Sequence, residues 1–139
     1  MVDAERLEAR LERLERLLEQ LEQARGAGLE VYLADEGLRA ATERRVQLAI
    51  QACIDIGAQL VSEVSARPPT DYADVFFSLA ESGVLDRPLA ERLGQAAGLR
   101  NLLVHAYLDL DDRRVFASLD HLEDLRELAV VAERLAREG

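Results

Sequence analysis

Between residues 7 and 21 five of the six leucines, Leu7, Leu11, Leu14, Leu18 and Leu21, fall at spacings of 4, 3, 4 and 3. That period of about 3.5 residues lines one face of a helix, whereas a half-buried strand needs strict alternation. Glu and Arg fill most of the other positions and offer pairs three and four residues apart. The spacing predicts a helix over residues 3–24. Three heptads that run into Gly26 and Gly28 suit a helix inside a bundle better than a free-standing coiled coil.

The same period recurs downstream. Asp35 or Glu36 can start a second helix reaching about Ala66, with Val46, Ile50, Ile54, Gly57, Val61 and Val64 as its inward stripe. A glycine on that stripe predicts a close helix contact, and Pro68-Pro69 marks the stop. Thr70 or Asp71 can cap a short third helix, Tyr72 to Glu81, with Gly83 ending it. Asp86 can cap a fourth, since Pro88 is tolerated in a first turn. This helix carries Leu89, Leu93 and Ala96 and ends near Leu108 to Asp109. Asp109, Asp111 and Asp112 then break the chain. A fifth helix from about Arg113 to Arg137 turns Val115, Leu119, Leu122, Leu125, Leu128, Ala132 and Leu135 inward. No alternating pattern or internal repeat appears. The expected fold is all-α: an antiparallel bundle of four long helices and one short one, forming a single domain over residues 1–139.

A chain of 139 residues, 49% hydrophobic and 32% charged, is long enough for one core and too apolar for a disordered chain. No apolar run approaches the ~18 residues of a membrane span, and the Glu/Arg/Leu start is unlike a signal peptide. A cytosolic protein is expected, with no membrane partner. The one cysteine, Cys53, has apolar neighbours and is expected as a buried thiol. All 17 basic residues are arginine against 27 acids, a net charge of −10. That balance argues against broad, nonspecific affinity for nucleic acid, which needs a basic footprint. A nucleic-acid substrate would have to be held at a local positive site or be presented by a partner.

Polar chemistry is concentrated in Arg100-Asn101-Leu102-Leu103-Val104-His105-Ala106-Tyr107, which contains the only asparagine of the chain. On a helix Asn101 and His105 are one turn apart on one face, and Arg100 and Tyr107 share another. Arg100 and His105 are about 140° apart around the cylinder. Bringing them together requires that Arg100 curl over, that the helix deform, or that a second copy supply the other residue. Each residue also has a plain structural reading: His105 as a core or interface histidine, Arg100 as an interface anchor, Tyr107 as an amphipathic core edge. His121, beside Asp120, Glu123 and Asp124, reads as solvated surface. The aspartates at 109, 111 and 112 lack the glycine and terminal glutamate of a calcium loop and read as helix caps. No His, Cys, Asp or Glu spacing suits a metal.

The Arg-Asn pair, the four-residue step to His and the Tyr two residues later resemble the motif of HepT-like toxins in the HEPN superfamily, small all-helical prokaryotic proteins. Glu43-Arg44-Arg45 leading into Gln47-Leu48-Ala49-Ile50 is similar to that family's second helix. Tyr72-Ala73-Asp74-Val75-Phe76 before Leu79 and Gly83-Val84-Leu85 is similar to its next segment, and Asp109 to Val115 to the segment after the motif. The likeness spans roughly residues 38–135. Leu99 departs from it, since an aromatic residue often precedes the arginine. The resemblance implies a homodimeric, metal-independent endoribonuclease that needs no cofactor, with paired motifs facing a shared cleft. Arg100 and His105 would be catalytic and Asn101 would orient the imidazole or hold phosphate. It further implies a nucleotidyltransferase antitoxin that transfers AMP to Tyr107. The competing class is a non-catalytic helical subunit that binds nucleotide or such a nucleotidyltransferase.

Overall fold

The structure, a computed structural model, describes residues 3–105, 108 and 110–138. The first helix, α1 (Ala4–Ala27), is capped by Asp3, whose carboxylate accepts from the Arg6 amide at 3.1 Å. It runs past the expected end at residue 24, because the chain leaves the helical region only at Gly28, with φ 90°. A six-residue helix, α2 (Leu29–Ala34), follows, which the periodicity does not predict. It buries the Tyr32 ring against Phe116, with centroids 5.1 Å apart. Asp35 then caps α3 (Glu36–Glu63) through the Leu38 amide. This helix stops short of Ala66, since Ser65 turns to φ 56°.

The short helix α4 (Tyr72–Glu81) has the expected bounds, capped by Asp71 and closed at Gly83, φ 81°. The helix α5 (Arg87–His105) begins where the Asp86 carboxylate accepts from the Leu89 amide at 2.8 Å. The expected fifth helix is instead three pieces: α6 (Asp112–Ser118), a 3₁₀ turn Leu119–His121 and α7 (Leu122–Glu138). The tighter turn shifts the helical register, yet Val115, Leu119, Leu122, Leu125 and Leu128 all stay buried. Leu135, expected inward, is half-buried. Among the described residues there is no strand.

The helix α1 packs antiparallel to both α3 and α7. The Asp3 amide at the start of α1 donates to Glu63 Oε1 at the end of α3, 2.7 Å. Likewise Glu22 and Arg25 near the end of α1 pair with Arg126 and Asp120 around the start of α7. The α1 seam is buried at Leu7, Leu14, Leu18 and Leu21, with Leu17 added and Leu11 at its margin. Each such leucine contributes about 1.5–3 kcal/mol through burial. Cys53 is buried among the same apolar side chains, which pushes its thiol pKa well up.

Gly57 makes the close contact its place on the stripe predicts. A Cβ there would sit 2.7 Å from Val75 Cγ1 and 3.3 Å from Phe76 Cε1, so the bare backbone lets α4 settle against α3. The connection between these helices is held by Arg67. Its guanidinium grips Asp74 at 2.7 and 3.0 Å and Glu81 at 2.7 Å, and its carbonyl accepts from the Ser78 hydroxyl. The Arg67 fork and the Thr70 amide hold the Asp74 carboxyl well below the usual carboxylate range. No described helix is long and apolar enough to cross a membrane.

Candidate functional site

Arg100 lies on α5 one turn after Ala96, on the flank that meets both α3 and α4. Its Nε–H donates to Gln51 Oε1 on α3 at 2.9 Å, and Nη1 donates to Asn101 Oδ1 at 3.1 Å. The guanidinium carbon sits over the Tyr72 ring, 5.0 Å from its centroid, in cation–π geometry. Gln51 is in turn fixed from its other end, where Nε2 donates to Asp55 Oδ1 at 2.9 Å. Three helices thus converge on one half-buried arginine. Among the described residues Arg100 makes no ion pair, although acids outnumber arginines in the chain.

Asn101 and His105 are exposed, with His105 in the last turn of α5. Since Arg100 and His105 share one helix, the offset of about 140° stands in a single copy. Asn101 does touch Arg100, a contact that one-turn spacing alone does not suggest. Tyr107, the expected modification site, lies outside the described residues, as does Asp109. Leu99 is buried in the wall of a hollow of about 320 Å³ bounded by α1, α3, α5, α6 and α7. Arg100, Asn101 and His105 do not line that hollow, whereas Arg114 and His121 do. His121 is exposed, as expected.

A second polar cluster lies where α3 meets the start of α6. Glu43 faces Asp112, and burial followed by that neighbouring carboxylate raises the Glu43 pKa. Arg39 pairs with Asp112 at 3.5 Å and donates to the Leu33 carbonyl. The buried Tyr32 hydroxyl beside them is pushed up to about 12, mainly by desolvation, and has no hydrogen-bond partner among the described residues. Among the described residues no three His, Cys, Asp or Glu side chains gather as metal ligands.

The sequence reading missed Gln51, Asp55 and the role of Tyr72. A signal for the first two exists: Gln47, Gln51 and Asp55 recur every four residues, a polar row beside the buried α3 stripe.

Residues 9–134 match the model of the family described as ribonuclease HepT-like. The chain belongs to that family. A tRNA nuclease HepT from Aphanizomenon flos-aquae is 34% identical over 113 residues, covering 81% of this chain and 77% of that protein. An mRNA nuclease HepT from Shewanella oneidensis is 34% identical over 83 residues, 59% of this chain and 62% of its own length. The fold also matches a tri-AMPylated Shewanella oneidensis HEPN toxin in complex with an MNT antitoxin, with a TM-score of 0.85 and 27% identity. That match spans 96% of this chain and 99% of the other. The stretch Arg100 to Tyr107 falls inside the matched segment.

Proposed function

We propose that this HepT-like chain is a metal-independent endoribonuclease toxin acting as a homodimer, with Arg100 and His105 as its catalytic residues. The observation that carries the reading is Arg100, anchored by Gln51, Asn101 and the Tyr72 ring with no described carboxylate on its charge. A guanidinium fork held in this way matches the oxygens of a phosphodiester. Transesterification of RNA asks for little more. A base takes the ribose 2′-hydroxyl proton and the freed oxygen attacks phosphorus. The bond from phosphorus to the 5′-oxygen breaks, and an acid protonates that leaving oxygen. An imidazole can serve in either role, and His105 supplies one. The 140° offset within one helix is met by a second copy, whose His105 would stand across a shared cleft and give one base and one acid. Asn101, beside Arg100 and one turn from His105, would orient the imidazole or hold phosphate. Tyr107 would be the acceptor of AMP from a nucleotidyltransferase antitoxin, the adduct bringing negative phosphate to Arg100 and blocking the cleft. Relatives named for different RNAs leave the substrate class at RNA.

The test is incubation of the purified chain, Arg100→Ala and His105→Ala with total RNA in EDTA. The wild type is expected to cut and each variant to slow about 10²–10⁴-fold with helicity unchanged. Near-wild-type cleavage by either variant would refute the catalytic assignment, and cleavage lost in EDTA would refute metal independence.

A further inference from the structure

We infer that Gln51 is a positioning residue that holds Arg100 in place while leaving its charge unspent, so that the guanidinium remains a free anion receptor. The inference rests on the reading of Arg100 given above and adds what keeps it competent. Three partners fix the side chain: an amide oxygen on Nε, an amide oxygen on Nη1 and an aromatic face below. All three are neutral. Among the described residues the donors of Nη2 and the second donor of Nη1 have no partner, and they form one edge of the fork, the geometry that grips two phosphate oxygens.

The contrast with Arg67 is direct. Arg67 has its Nε and both terminal nitrogens engaged, all by the carboxylates of Asp74 and Glu81, and that arginine is a structural brace with its charge neutralised. Around Arg100 the nearest acid in the network is one residue removed. Asp55 accepts from Gln51 Nε2, which orients the amide so that its oxygen faces the arginine. An amide flipped the other way would set an NH₂ group against the guanidinium. Asp55 therefore fixes the polarity of Gln51 without lending a negative charge to Arg100.

This division of labour can be reversed without altering shape or net charge. In the double variant Gln51→Glu with Asp55→Asn, residue 51 still accepts from Arg100 Nε and still meets residue 55 across one turn. The bond between 51 and 55 persists because the new side-chain amide at position 55 donates where the Asp55 carboxylate had accepted. Only the carboxylate has moved, from one residue away to direct contact with Arg100. A purely structural role for Gln51 predicts no loss, since a charged acceptor anchors Arg100 more strongly.

Two readouts separate the outcomes. The first is RNA cleavage, where the double variant is expected to lose at least about tenfold in kcat/KM, less than the 10²–10³ typical of deleting a transition-state donor. Its thermal midpoint should match or exceed that of the wild type. The second needs no nuclease activity: the Arg100 Nε–H resonance is followed while inorganic phosphate is added. The wild-type signal should move with phosphate, and the double variant should need at least about fivefold more phosphate for the same shift. Cleavage and phosphate response both within twofold of wild type would overturn the inference, as would a wild-type signal blind to phosphate. A wild type that fails to cut RNA yet shows the phosphate difference would overturn the nuclease reading and leave this one standing.

Discussion

Replacing Gly57 with alanine sets two known effects against each other. Within a helix the change is worth up to about 1 kcal/mol in favour of alanine. Against that, the new methyl arrives 2.7 Å from Val75 Cγ1, 3.3 Å from Phe76 Cε1 and 3.7 Å from Leu79 Cδ1. Methyl groups pack at about 3.5–4.0 Å, so the valine has to retreat by about 1 Å. Val75 is buried and β-branched, with essentially one rotamer available in a helix, so the movement falls on the backbone of α4. Overpacking of this kind costs about 1–3 kcal/mol, which leaves a net loss of about 1 kcal/mol. Val75→Ala alone should cost about 2 kcal/mol, for two buried methyls lost. Combined, the methyl of residue 57 occupies the space that Val75 vacates, and the pair should lose about 1–2 kcal/mol less than the sum of the singles. Urea unfolding followed by circular dichroism at one protein concentration measures all four corners of this cycle. A Gly57→Ala variant as stable as the wild type, or a double variant additive within about 0.5 kcal/mol, would refute the close-contact account.

Glu43→Gln should raise the thermal midpoint at neutral pH. Burial and Asp112 lift the folded-state pKa of Glu43 above its unfolded value, so its ionisation opposes folding at high pH and the penalty fades as pH falls through that raised value. Melts of both proteins across pH should therefore converge by about pH 4, near the ordinary pKa of a glutamate, and a gap that widens toward acid would contradict the assignment. Tyr107→Phe should keep nuclease activity within about threefold, since one oxygen is removed outside the groups that move protons, and should escape silencing by the cognate nucleotidyltransferase with ATP. Intact-mass measurement of the co-expressed pair checks this, and a wild-type chain inhibited without added mass would point to inhibition by binding alone.

The helices with strong stripes were legible from residue spacing because burial of one face dominates their energetics. The α1 seam, the α4 bounds with Asp71 and Gly83, and the Gly57 contact all follow from local pattern. What escaped is what local pattern does not encode. Six residues of α2 span under two turns, too few for a period to show, and the helix is recognisable only through Tyr32 packing on Phe116. The 3₁₀ turn at Leu119–His121 was hidden because spacings of three and four satisfy both a continuous helix and one with a tightened turn. At the site, Arg100 and Asn101 announced themselves by type and spacing. Gln51 did not, since its 49-residue separation from Arg100 is closed only by the register of α3 on α5. Tyr72 looked like an ordinary first-turn residue of a short helix until α4 was seen running beneath the arginine.

The Arg67 brace bears on how the Arg100 region would meet a ligand. Arg67 ties the loop that precedes α4 to both the first and the last turn of that helix, while Asp74 gathers the Thr70 amide and hydroxyl as well. Two consecutive prolines in the same loop further restrict the backbone that leads to Tyr72. The backbone that carries the aromatic floor under Arg100 has thus given up its conformational freedom during folding, through contacts made by Arg67, Thr70, Asp74 and Glu81. Fixing the backbone of one residue typically costs about 1–2 kcal/mol. Along this wall of the site that entropy has already been lost before any ligand arrives.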